Sequence, residues 1–330
     1  MNTYRTQLPQ LGDRLFMTDG GLETTLIFHD GIELPYFAAF NLLQSAQGTE
    51  RLRRYYERYA RIAAEHGLGM VLEAPTWRAS RDWGTKLGYD AAALAAANRR
   101  AIDLMLELRA QFEAPGLPMV ISGNIGPRGD GYVPGRRMSI EAARDYHAEQ
   151  IATFVDTAAD MLSVFTMNYV EEAAGIAQAA RAARMPLAVS FTLETDGRLP
   201  SGDSLSDAIT RTDEASQGHP AYYMINCAHP THFERVLENA PWADRVRGLR
   251  ANASRRSHAE LDESTDLDAG NPEELGGEYR ALRPWLPRLS VVGGCCGTDH
   301  RHVAAMCEAL QATRAKAPAD QRSPSARSIE

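Results

Sequence analysis

The chain has 330 residues, a net charge of −8 and 44% hydrophobic residues, which suits one large α/β domain or two smaller ones with ample core. Lys and Arg are interspersed with acids, which argues against a nucleic-acid partner, since that would need a basic face. Four cysteines in so long a chain do not make a disulfide framework, no apolar run reaches the ~18 residues of a membrane span, and Met1 to Gln7 lack the apolar stretch of a signal peptide, so a cytoplasmic protein with no membrane partner is expected.

Short apolar runs at 15–19, 70–73, 119–123, 161–165, 187–191, 222–227, 246–251 and 289–293 predict strands. Helical patterns at 49–65, 91–112, 139–159, 170–183, 204–210, 231–239, 272–285 and 299–312 alternate with them. The second and third carry apolar residues at helical spacing, and Ser139 with Ala142 and Ala143 reads as a capped start. Strand–helix units repeated along the chain, with no run of another type, predict a single (β/α)8 TIM barrel over residues 1–312; a doubly wound open sheet is the alternative. Residues 313–330, rich in Ala, Pro, Ser and charge, predict a flexible C-terminal tail.

Loop lengths favour the barrel. The long polar, glycine-rich segments 20–48, 126–138, 195–203 and 252–271 all follow strands, whereas helix-to-strand links such as Arg184-Met185-Pro186 are short. In a barrel the strand-to-helix loops gather at the C-terminal ends of the strands and carry the site. Segment 252–271 is long enough to serve as a lid over that face.

Two strands end in cysteine. The run into Val291-Val292-Gly293-Gly294 opens on Cys295-Cys296-Gly297-Thr298, and Tyr222 to Asn226 ends on Cys227. Any single cysteine is more often a small core residue, and Cys307 in a helical pattern reads that way. Three thiols at the ends of apparently equivalent strands instead point to zinc, which takes thiolates and keeps a fourth position open in catalytic sites. Asp19-Gly20-Gly21 ends the first strand. Its glycines let a backbone approach a ligand and offer N–H groups to a carboxylate, and Asp19 can accept from an ammonium group; a plain Gly-Gly turn is the simpler alternative.

Taken together, Asp19-Gly20-Gly21-Leu22-Glu23-Thr24, Asn226-Cys227 and Gly293-Gly294-Cys295-Cys296-Gly297-Thr298 resemble the homocysteine S-methyltransferase family, from Leu15 to about Leu310. The resemblance implies a zinc-dependent barrel that moves a methyl group from a sulfonium or ammonium donor to the zinc-bound thiolate of homocysteine, giving methionine. By position Cys227, Cys295 and Cys296 match the zinc ligands, and Asp19 with the Gly20-Gly21 backbone matches the part that holds the amino-acid end of the acceptor. Asn226 matches a polar neighbour of the metal. Donors implied are S-methylmethionine, S-adenosylmethionine and betaine-like ammonium compounds.

The chain departs from the family at the fourth strand. Phe165-Thr166 stands where typical members have Glu-Thr, so the carboxylate that would meet the substrate ammonium is missing and only Thr166 matches. Asp19, Glu23, Glu73 and Glu194 are the candidates to replace it, with Asp19 expected to be the main ammonium partner. Acceptors other than homocysteine stay open, as do a barrel-type zinc hydrolase, which three charge-donating thiolates disfavour, and a binding protein without catalysis. His229, His232, His300 and His302 read as exposed polar residues rather than ligands. Arg128, Arg136 and Arg137 are candidates for an anionic group on the donor, and Trp77, Trp83 and Tyr132 for ring faces against a cationic methyl group.

Overall fold

A computed structural model describes residues 3–237 and 240–315 of the chain. Among these, eight strands run β1 (Phe16–Met17), β2 (Gly69–Glu73), β3 (Met119–Ile125), β4 (Met161–Met167), β5 (Leu187–Thr192), β6 (Tyr222–Asn226), β7 (Val246–Ala251) and β8 (Val291–Gly294). Each pairs in parallel with the next, and β8 closes on β1, where Phe16 sits opposite Val291. This is a TIM barrel. The strands read as nearly unbroken apolar runs because both faces are covered, one by helices and one by the barrel interior. Phe16, Val71, Val120, Met161, Tyr222 and Val291 fill that interior.

The outer layer is α1 (Ala46–His66), α2 (Ala91–Phe112), α3 (Ile140–Val155), α4 (Val170–Ala182), α5 (Leu205–Ser216), α6 (Pro230–Phe233), α7 (Pro272–Leu282) and α8 (His300–Ala315). Several starts are fixed by a side-chain oxygen that accepts an otherwise orphaned N–H. Ser45, Asp90, Ser139, Ser204 and Asn271 each do so. On α1 the buried residues Leu52, Tyr55, Tyr56, Tyr59 and Ala63 recur at three- and four-residue spacing, which lays one stripe of the helix on the sheet.

Some boundaries differ from the sequence pattern. β1 is only Phe16–Met17, yet its chain continues beside β8: Thr18 N–H donates to Val292 O and Gly294 N–H to Asp19 O. α5 continues past residue 210 because Thr212 and Ser216, although polar, are buried one and two turns on from Ala208 and Ile209. The helix expected at 231–239 breaks after Phe233 into a 3-10 turn, Glu234–Leu237, and residues 238 and 239 lie outside the described part. The backbone of α8 runs to Ala315, and the rest of the expected tail lies outside the described residues. No helix among the described residues is long and apolar enough to cross a membrane.

Candidate active site and metal centre

Cys227 is the residue after β6, and Cys295 and Cys296 follow β8. The end of β7 lies between them and holds both turns in place. Cys227 N–H donates to Arg250 O, Cys295 N–H to Ala251 O, and Ala253 N–H to Cys296 O. Cys227 adopts a left-handed φ of 53°, which turns its side chain off the strand direction. The three sulfurs lie within 4.8 Å of one another. Gly21 permits this packing: a Cβ there would come 2.5 Å from Cys295 O.

These thiols fit a soft cation. Zinc prefers thiolates in sets of this kind, and no other group of three or more His, Cys, Asp or Glu with this convergence occurs among the described residues. Cys227 and Cys295 are paired as a disulfide, so metal holding requires both in the reduced form. Burial pushes the Cys296 thiol up, against a hydrogen bond from Tyr132, so a positive ion is what makes this cluster a stable set of thiolates.

The sulfurs open onto a pocket of about 380 Å³ at the C-terminal ends of the strands. All of the candidate substrate residues Asp19, Gly20, Gly21, Glu23, Glu73, Thr166 and Asn226 border it, but they are not equally available. Asp19 is buried and ion-paired, with its Oδ1 2.8 Å from Arg250 Nη1 and its Oδ2 accepting from Tyr55 Oη at 3.0 Å. Gly21 N–H already donates to Thr298. Asn226 commits its amide to neighbouring strands: Oδ1 accepts from Thr166 N–H and Ser190 Oγ, and Nδ2 donates to Thr166 Oγ1. This clamp holds Thr166 at a φ of 64°, unusual for a β-branched residue. The β4–β5 register breaks there, between Val164 and Met167.

Glu73 is different. It is 3% exposed, Oε1 accepts from Ser163 Oγ at 2.9 Å, and Oε2 has no partner among the described residues. Burial raises its pKa to about 7, opposed by Arg250 and by hydrogen bonds from Ser163 and Ser122. Glu23, on the turn after β1, is raised to about 7 by burial as well. Glu194 does not border the pocket and pairs with His258 Nδ1 at 3.2 Å.

Arg250 was not singled out from the sequence. Besides Asp19 it donates from Nε to Gly294 O and from Nη2 to Gly20 O, both at 3.0 Å, tying the turn after β1 to the turn that carries the cysteines. Burial lowers its pKa, but Asp19 and Glu73 outweigh that and raise it above the ordinary value. The signal was an arginine just before the last residue of β7, in a strand that also carries Arg247. Phe165 lines the pocket with its ring 5.0 Å from the Arg250 guanidinium. Tyr132, from the loop after β3, places its hydroxyl 3.6 Å from Cys296 Sγ and stacks on His258 at 4.0 Å. His258 belongs to the short helix His258–Asp262 within 252–271, and its Nε2 donates to Cys227 O. Leu261, Asp262 and Leu267 of the same segment also border the pocket.

Other candidates turn elsewhere. Arg128 pairs with Asp82, and Arg137 donates to Ser201 O. His302 and His229 are buried, not exposed as the sequence pattern suggests: His302 bonds Asp299 and Ala269 O, and His229 faces Glu278. The indoles of Trp77 and Trp83 carry the guanidinium of Arg78 on their faces.

The homocysteine S-methyltransferase family model matches residues 16–310. The fold is also that of the crystal structures of the homocysteine methyltransferase MmuM from Escherichia coli. Its oxidized form aligns with a TM-score of 0.71 at 21% identity over 92% of this chain and 96% of that one. Its metallated form aligns at 0.66 and 19% identity over 90% and 96%. The barrel, the gathered cysteines and the family match over nearly the whole chain lead to one conclusion: this protein belongs to the homocysteine S-methyltransferase family of enzymes.

Proposed function

We propose that this enzyme transfers a methyl group from a sulfonium or ammonium donor to the sulfur of homocysteine, with Cys227, Cys295 and Cys296 as the residues that hold zinc. The observation that carries this is the convergence of three thiols within 4.8 Å at the edge of a pocket in a member of this family. Bound zinc would supply the positive charge that keeps the acceptor thiol deprotonated at neutral pH, where a free alkyl thiol of pKa near ~8.5 is mostly protonated.

The chain's own residues bind and orient. Glu73 offers the acceptor ammonium a buried carboxylate oxygen with no other partner among the described residues. It thereby takes over from the carboxylate missing at Phe165, and supplants Asp19, which Arg250 has neutralised. Asn226 fixes Thr166, and Arg250 fixes the Gly20 turn, so the pocket floor is set before substrate arrives. The acceptor sulfur then attacks the methyl carbon. A C–S bond forms as the bond from that carbon to the donor's sulfur or nitrogen breaks, and its electron pair stays on that sulfur or nitrogen, which loses its positive charge. The thiol proton passes to solvent when the thiol binds, before transfer, so no side chain needs to act as a base during it.

Phe165 favours one variant of this function. A neutral ring in the pocket wall also suits a thiol acceptor with no ammonium group. Reduced, zinc-loaded protein incubated with homocysteine and a panel of cationic methyl donors should yield methionine with at least one of them. No methionine with any donor, or simple alkyl thiols turned over as well as homocysteine, would count against homocysteine as the acceptor.

A further inference from the structure

Three arginines of the described barrel are almost fully buried, and two of them have a carboxylate at hand. Arg109 lies 2.7 Å from Asp160 and Arg250 lies 2.8 Å from Asp19. The third, Arg78, is 5% exposed and has no carboxylate within ion-pair distance among the described residues. It follows the end of β2 and borders the same pocket as the cysteines. Its guanidinium is clamped between two indoles, 3.9 Å from the Trp77 ring and 4.0 Å from the Trp83 ring. Nη1 donates to Gly129 O at 2.8 Å, whereas Nε is buried without an acceptor. The neighbouring acid, Asp130, spends Oδ1 on the N–H groups of Tyr132 and Val133 in its own turn.

We propose that Arg78 is the anchor for a carboxylate on the methyl donor, so that the site takes donors in which the methylated cationic centre and a carboxylate belong to one molecule. The inference builds on the methyl transfer proposed above. A buried guanidinium without a counter-ion is costly unless an anion completes it. The ring faces give part of the compensation; they also lock the plane of the fork, which leaves the edge as the direction of recognition. Burial lowers the Arg78 pKa to about 10, with Asp130 and Glu23 opposing, so it remains a cation at neutral pH.

Position assigns the carboxylate to the donor rather than the acceptor. Glu73, Asp19 and Arg250 form a mutually interacting group at the pocket floor. Arg78 interacts chiefly with Asp130, then with Glu23, which also feels Asp19 and Arg250, and with Tyr132 of the loop after β3. Tyr132 reaches to 3.6 Å from Cys296 Sγ, so this second wall flanks the point at which a methyl group would be delivered. The indoles cannot receive the methylated cation on the faces that Arg78 covers, and Lys86 also lies over Trp83.

The test is equilibrium binding, which needs no turnover. Reduced, zinc-loaded wild type, Arg78→Gln and Arg78→Lys are titrated by calorimetry with glycine betaine and with choline, which share a trimethylammonium group but differ in the carboxylate. A matched pair, S-methylmethionine and its carboxamide, covers the sulfonium case. Wild type should prefer the carboxylate member of at least one pair by about 10- to 100-fold, the range of one charge-assisted hydrogen bond. Arg78→Gln should abolish that preference, Arg78→Lys should retain part of it, and homocysteine affinity should stay at the wild-type value in both. The proposal is overturned if wild type shows no preference or binds none of the four compounds, if Arg78→Gln keeps the preference, or if the loss falls on homocysteine. The wild-type comparison stands even if a variant fails to fold. A preference that depends on Arg78 in a protein that forms no methionine would sustain the anchor and refute the methyl transfer.

Discussion

Replacing Glu73 with Gln should make the protein more stable and a poorer enzyme. Burial raises this carboxyl from 4.5 to about 7, so the folded state holds its proton more tightly than the unfolded state does. The stability this contributes is fully present below the unfolded pKa and is lost as pH rises through about 7. A shift of that size corresponds to about 3 kcal/mol of cost for the ionised group at pH 8, an upper figure that ordered water would reduce. Glutamine keeps an oxygen for Ser163 Oγ and carries no charge. Urea unfolding at pH 8 should therefore show Glu73→Gln above wild type by up to about 3 kcal/mol, with the gain falling below about 1 kcal/mol at pH 5 and vanishing at lower pH. In the same variant the KM for homocysteine should rise about 10- to 100-fold, because the ammonium loses a charge-assisted partner, while zinc content stays unchanged. The wild-type KM should also rise as pH falls below about 7 and Glu73 takes up its proton. A variant that is less stable at both pH values, or that binds homocysteine normally, would refute the argument.

Other consequences can be checked separately. Cys227→Ser, Cys295→Ser and Cys296→Ser should each lose zinc by elemental analysis, whereas Cys307→Ser, buried in α8 away from the cluster, should keep about one zinc per chain, the stoichiometry of a single site. Because the ligands must be deprotonated, zinc affinity should fall with pH in a competition titration. Asp19→Asn leaves Arg250 without its ion-pair partner and should destabilise the fold by about 3–5 kcal/mol, with wild-type stability as the contrary result. Segment 252–271, which borders the pocket through Leu261, Asp262 and Leu267, should be cut more slowly by protease when both substrates are present; equal rates would remove its role as a lid.

The barrel was legible because each buried parallel strand is a nearly continuous apolar run and the long polar segments 20–48, 126–138, 195–203 and 252–271 all follow strands. The cysteines were legible for the same reason, since strand ends are where a barrel presents chemistry. What the sequence hid depends on contacts between distant segments. Arg250 bonds Gly20 across 230 positions, and nothing local marks it as the partner of Asp19. The bend at Thr166 comes from the Asn226 amide, 60 residues on, so a gapless alignment could name Phe165 but not the backbone conformation beside it. Trp77 and Trp83 read as open ring faces until Arg78 is seen between them.

The central claim is that Cys227, Cys295 and Cys296 form a zinc site that receives the acceptor thiol. X-ray absorption on the reduced, zinc-loaded protein tests it most directly. Three sulfur neighbours at about 2.3 Å should be seen without substrate and four once homocysteine is added. A sulfur count that stays below three, or that does not change with homocysteine, would contradict it.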